Sequence, residues 1–373
     1  MAPARLRGGN PTLTIEAAPA YEFVVALASI FEERDTMEVG ADWFAEVEAR
    51  AGADLLARLT ALSQGESDPW FHLIGLVYAS PAPRDVRSFV AYLRETDAHE
   101  ITLTLLGYYE RGYRRSTQPD VMRRAIDGDR DAQRELHRTY FPEWAEWHAF
   151  LGSVFERGPE ATKAELIAVL EEWQTSVWRD EEPKLMPILE HDAEAKRGLA
   201  AELPLERFTE VATNGVEYLP RSGVREVVLT PTFVNRPWVS TTEYRDADIL
   251  TYPVADESVT AETDAPPLRL VRLSKALGDE RRLRILRILG SGDKTLMELA
   301  ELFEVPKTTM HHHMIALRSA GLVTFSGTKG YRLRRDALPD VGELLRGYLG
   351  AAAGPLAAPA STTRPTRRRA PRA

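Results

Sequence analysis

The 373-residue chain contains no cysteine. That excludes a disulfide framework and any thiolate-held metal, and it fits a reducing compartment, so a cytoplasmic protein is expected. No apolar run reaches the roughly 18 to 20 residues that a membrane-spanning helix requires. The opening MAPARLRGGN has no apolar stretch behind its arginines and does not read as a signal peptide. Catalytic signatures are also missing. There is no Gly-x-Ser-x-Gly elbow, no phosphate-binding loop ending in Gly-Lys-Ser/Thr, and no His-Glu-x-x-His. His99-Glu100 and His191-Asp192 are isolated pairs without a second ligand at helical spacing. Glu171-Glu172 and Glu181-Glu182 read as solvated helix faces. The expectation is a protein with no catalytic residues, no metal and no cofactor, and not an enzyme.

What is present is a soluble-type composition, 44% hydrophobic and 28% charged, at a length that favours two domains. The net charge of −9 is unevenly distributed. Residues 267–349 carry +6, from 15 Lys and Arg against 9 Asp and Glu. The last 24 residues add +5 through Arg364, Arg367, Arg368, Arg369 and Arg372, which leaves −20 for residues 1–266. An acidic module is thus joined to a basic one, and the positive field lies where phosphate neutralisation would use it.

Residues 1–255 read as an acidic, mostly helical module. Leu13-Thr14-Ile15-Glu16 has strand character, and Pro19 opens an amphipathic helix. Helical spacing then recurs to about Val211, with Pro83, Pro119, Pro142, Pro159 and Pro183 near the expected helix starts. Between 214 and 254 the pattern changes to strands around Val216–Tyr218, Arg225–Phe233 and Asp248–Tyr252, which predicts a small, partly antiparallel sheet on the helical body. Residues 256–267 (DESVTAETDAPP) read as a linker. Residues 350–373 read as a disordered basic tail, whose arginines are either simply solvated or a nonspecific phosphate tether.

Residues 268–349 hold the most specific signal. Thr295 is placed to cap a helix bearing Leu296, Leu299, Ala300 and Phe303. Glu304-Val305-Pro306 makes a sharp turn, and a second helix runs from about Lys307 to Ser319 before Gly321. Met310, Met314 and Leu317 share one face of it, while Lys307, Thr308, Thr309, His311 and His312 lie largely on the others. Two short strand-like runs follow, Leu322–Phe325 and Tyr331–Arg334, around a glycine-bracketed tip carrying Lys329. A helix-turn-helix pattern alone also fits an ordinary helical hairpin; the helices before it and the hairpin after it favour a winged helix.

The segment resembles the ArsR-type (arsenic-repressor-like) winged helix-turn-helix regulators of bacteria. LSKALGDERRLRILRIL is similar to that family's first two helices, and TTMHHHMIALRSAGLV to its recognition helix and the start of its wing. Metal-sensing members carry a cysteine pair in the helix that here reads TLMELAELF, so the resemblance implies no metal. It does imply binding to double-stranded DNA as a homodimer, with flanking helices around Leu268–Leu277 and Val341–Leu349 at the dimer seam. The fold class expected is therefore mainly α: a multi-helix N-terminal body with a small β-rich segment, then a C-terminal winged helix. Thr308, Thr309, His311 and His312 are the expected base readers. Lys307 and Arg318 set position on the phosphates, and Lys329 and Arg332 of the wing meet backbone or minor groove. Three consecutive histidines, His311 to His313, fan about 100° apart on a helix and do not converge on one ion.

In the acidic module, Trp144, Trp147 and His148 fall within about one helical turn. They read either as core or as a pocket for a small-molecule effector. The chain as a whole reads as a sequence-specific transcriptional regulator with an N-terminal sensor or oligomerisation module. The alternative is an enzyme or ligand-processing helical domain fused to a winged helix that localises or autoregulates it.

Overall fold

Helical periodicity dominates the first two hundred residues, and the computed structural model gathers most of the described residues from Ala18 to Leu185 around one large apolar core. It describes residues 11–111, 117–141, 144–216, 218, 222–259, 266–326, 330–335 and 340–351. Strand β1 (Thr12–Ile15) leads into α1 (Pro19–Ser29), whose residues from Ala20 to Ser29 are all buried, as befits a helix apolar on every side. That helix packs on α3 (Asp68–Ala79) and α4 (Val86–Glu95); the same body holds α2 (Gly40–Ser63), α5 (Ala98–Leu105), α6 (Pro119–Ile126) and α7 (Arg130–Thr139). Then come α8 (Ala145–Arg157), α9 (Pro159–Trp173), α10 (Arg179–Ala200) and α11 (Leu205–Ala212). Aspartates at the N-caps of α4, α5 and α7 (Asp85, Asp97, Asp129) accept backbone N–H bonds that the first helical turns would otherwise leave unpaired.

Two expectations need correction. Pro183 does not start a helix: it lies with Pro187 inside α10, which continues from α9 through a π-helical turn at Gln174–Trp178. The two prolines are four residues apart, so both missing N–H groups fall on one face. Residues 216 and 218 are not part of a strand. Pro142 lies outside the described residues.

The sheet is formed by β1 with β2 (Glu226–Thr232), β3 (Ser240–Tyr244) and β4 (Ala247–Pro253), in the order β1-β2-β4-β3. β1 pairs parallel to β2, β2 parallel to β4, and β3 antiparallel to β4. Side chains of β2 and β4 are buried on both faces. Val228 and Ile249 face the helical core, while Val227, Leu229, Leu250 and Tyr252 pack with Phe208 and Ala212 of α11. Glu22 of α1 fastens the helical layer to the end of β2, accepting the Phe233 and Val234 N–H groups at 2.9 and 2.8 Å.

After the sheet the chain continues through α12 (Leu268–Leu277), α13 (Glu280–Leu289), α14 (Leu296–Leu302) and α15 (Lys307–Ser319). A hairpin of β5 (Val323–Ser326) and β6 (Gly330–Leu333) and helix α16 (Asp340–Ala351) complete this part, which has its own apolar core. The stretch expected as a linker begins differently. Asp256–Ser258 form a short 3-10 turn held to α10, where Asp192 accepts the Ala255 N–H at 2.7 Å and the Ser258 hydroxyl at 3.0 Å. Residues 260–265 and the tail from 352 onward lie outside the described residues. No helix among the described residues is long and apolar enough to cross a membrane.

Full burial pushes the Glu22 carboxyl up to about 7, against the lowering effect of its hydrogen bonds. A raised folded-state value means that the protonated carboxyl favours folding. That contribution is complete at acid pH and is lost as pH rises through neutrality. Glu22→Gln keeps an oxygen for both N–H groups and removes the titration. Its stability relative to the native chain is expected to rise by roughly 3 kcal/mol between about pH 5 and pH 8, measured by urea unfolding. A difference that does not move with pH would contradict a buried, titrating Glu22.

Candidate nucleic-acid interface

The helix pair begins on a capping box. The Thr295 hydroxyl accepts the Glu298 N–H at 3.2 Å, and Glu298 accepts the Thr295 N–H at 2.7 Å, which holds the Glu298 carboxyl below its ordinary range. α14 ends at Phe303, Glu304 takes a left-handed turn (φ 51°), and Pro306 stands at the cap of α15. Met310, Met314 and Leu317 turn inward against Leu273, Ile285, Leu289, Leu299 and Leu322. Each such burial is worth about 1.5–3 kcal/mol, so the back of α15 is firmly seated. Its outer face is polar: Lys307, Thr308, His311 and His312 are exposed, and Thr309 is half-buried. His313 is half-buried too, and burial lowers its pKa against the opposing pull of Asp279. Among the described residues no cluster of three or more His, Asp or Glu is placed to hold a metal ion.

The wing is short. Val323 pairs with Leu333, and Tyr331 exchanges two backbone hydrogen bonds with Lys294 at 3.0 and 2.7 Å, which adds a third, one-residue strand. Gly330 is required there: its φ is +84°, and a Cβ would stand 2.4 Å from the Lys294 oxygen. Lys329 lies outside the described residues.

Two expected phosphate contacts are placed otherwise. Arg332 forks onto Asp293, with Nε–Oδ1 at 3.1 Å and Nη2–Oδ2 at 2.9 Å, so its charge has an internal partner. Arg318, at the far end of α15 from Lys307, is turned toward the N-terminal body and lies over the Trp238 ring, 5.7 Å from its centroid. Trp144 and Trp147 stack on each other at 5.3 Å, and Trp147 is fully buried against Tyr140, Phe141 and Phe150. His148 meets His137 edge-on, at 5.3 Å. Of the two readings open for these residues, Trp147 takes the core one, whereas Trp144 and His148 are half-buried at its edge.

Several residues at the junction gave no local signal. Arg236, 2% exposed, and Arg272 of α12 share two carboxylates, Glu38 and Asp256. Arg272 reaches Glu38 at 2.8 Å and Asp256 at 2.7 Å, and Arg236 reaches Glu38 at 3.1 Å. Beside the wing, Arg334 donates to the Asn214 backbone and side-chain oxygens, both at 3.0 Å. A cleft of about 200 Å³ separates Trp238 and Asn214 on the body from Arg318, Thr324 and Phe325. On the other side of β3 lies a cavity of about 210 Å³ lined by Glu32, Asp68, His72 and Glu110. Burial, reinforced by Glu243, Asp248 and Asp68, pushes Glu110 up to about 8, while burial lowers His72.

Residues 277–324 match a family model described as a helix-turn-helix domain. No curated protein and no solved structure matches the chain. The match spans the end of α12, α13, both helices of the turn and the start of the first wing strand, and a domain of this kind implies DNA binding. Residues 277–324 are therefore an ArsR-like helix-turn-helix domain, carried in the C-terminal region of a larger, mainly helical chain.

Proposed function

We propose that the chain is a sequence-specific transcriptional regulator in the cytoplasm, without catalytic activity of its own, that binds double-stranded DNA as a homodimer. The observation that carries this reading is α15. Its apolar back is locked into a core while Lys307, Thr308, His311 and His312 stand exposed at its N-terminal end. That is the geometry a major-groove helix needs: short hydrogen-bonding side chains at the tip and a positive charge beside them. The dimer reading is supported by α16, which packs on α12 and leaves Leu345 and Leu349 45% and 62% exposed. The acidic body then serves as the regulatory module.

A second reading, an enzyme with an attached DNA-binding domain, draws on the cavity around Glu110. Two or more carboxylates with an adjacent imidazole in a partly closed space can move protons. Turnover of a metabolite by the native chain and not by Glu110→Gln would carry it.

Three outcomes are expected of the regulator. Duplex DNA affinity should fall steeply with salt, because each neutralised phosphate releases about one counterion. Binding that stays flat between low and moderate salt, in a filter or anisotropy assay, would contradict groove binding. Thr309→Ala and His312→Ala should each change the sequence selected from a random pool, since one lost base contact removes roughly 1–3 kcal/mol of discrimination. An unchanged selected site would remove these two residues as readers. Leu345→Glu should convert the dimer to monomer in sedimentation, and a dimer that survives would place the seam elsewhere.

A further inference from the structure

The cleft between the N-terminal body and the helix-turn-helix domain contains a guanidinium with nothing to hold. Arg318 is half-buried, and that burial depresses its pKa. Among the described residues no carboxylate pairs with it and no oxygen accepts a hydrogen bond from it; it lies against the Trp238 ring, with Tyr331 also near. A half-buried guanidinium that faces no carboxylate is open to an anion entering the space beside it. The space beside Arg318 is enclosed on several sides and measures about 200 Å³, which is room for one small ring with a charged substituent. Its walls suit such a molecule. Trp238 and Phe325 offer aromatic surface, and Thr324 and Asn214 add polar groups. Trp238 is itself anchored, its indole N–H donating to the Thr36 hydroxyl at 3.2 Å.

We propose that this cleft binds a small aromatic carboxylate, with the Arg318 guanidinium holding the carboxylate and Trp238 covering the ring. The position gives the ligand a lever. Arg318 belongs to α15, Phe325 to the wing, and Trp238 to the loop between β2 and β3, so one molecule touches the reading helix, the wing and the body. Ligand and DNA then alter each other's affinity by the same factor. That consequence rests on the DNA-binding reading above, whereas ligand binding itself does not.

The test uses the full-length chain, titrated with benzoate and with benzamide, its neutral counterpart, by calorimetry and tryptophan fluorescence. Saturable binding is expected for benzoate and not for benzamide at the same millimolar concentrations. Arg318→Met should weaken benzoate roughly tenfold or more, and Arg318→Lys should recover part of the loss. Trp238→Leu, a change on the opposite wall, should also weaken it. Thermal unfolding of each variant separates loss of the site from loss of the fold. The proposal is overturned if benzoate does not bind, if benzamide binds as well, or if folded Arg318→Met and Trp238→Leu bind benzoate like the native chain. DNA binding measured on the same samples distinguishes the two readings. Intact DNA binding with no benzoate site removes the cleft proposal alone; benzoate binding that requires Arg318, without DNA binding, keeps the cleft and removes the regulator.

Discussion

Four charges hold the two parts of this chain in register. Glu38 precedes α2, Arg236 lies in the loop after β2, Asp256 follows β4, and Arg272 is on α12; each guanidinium meets both carboxylates. Taking any of these groups out of water costs several kcal/mol, and an alternating ring returns that cost only when all four are present. Arginine suits the arrangement because its planar fork can face two acceptors at once. Because Arg236 is almost fully enclosed, the ring specifies one arrangement of four distant segments, and the orientation of α12 on the body follows from it.

Local chemistry made the helix-turn-helix domain legible. The bounds of α15 follow from Pro306 before it and Gly321 after it, its buried face from Met310, Met314 and Leu317, and the start of α14 from Thr295 and Glu298. Those signals lie within a few residues of what they determine. The sheet is different. β1 pairs with β2 across more than two hundred residues, as Thr12 with Glu226, and nothing near Thr12 names its partner. β3 (Ser-Thr-Thr-Glu-Tyr) was missed because an edge strand with one partner carries few apolar residues to alternate. Pro183 misled because proline is informative at helix starts, while here the helix was already running and the π turn before it had reset the backbone.

The same distinction explains the site. Charge counted along the sequence assigned Arg318 and Arg332 to DNA alongside Lys307. Long side chains reach far, and what they reach is decided by neighbours that the local sequence does not show. Asp293 takes Arg332, and Trp238 faces Arg318. Trp147 illustrates the converse: an aromatic residue at helical spacing, with neighbouring rings to cover it, becomes core. What remains at the outer face of α15 is the set whose side chains are short or whose position at the helix start leaves them nothing internal to meet.

Helix α15 is what unites the junction with the reading surface. From Lys307 to Arg318 it advances roughly 16 Å, and its packed back makes it move as a rod. One end therefore presents Lys307, Thr308, His311 and His312 outward while the other ends in the cleft at Trp238. The ion ring fixes α12 against the body and so supplies a fixed reference beside the cleft. Thr241 of β3 borders both this cleft and the acidic cavity around Glu110. An edge strand paired on one side only is thus the wall shared by the two spaces in which a ligand could act. Under the cleft proposal, a ligand at Arg318 would sit on the same helix as Lys307, Thr308, His311 and His312, and among the described residues Thr241 alone links that cleft to the cavity around Glu110.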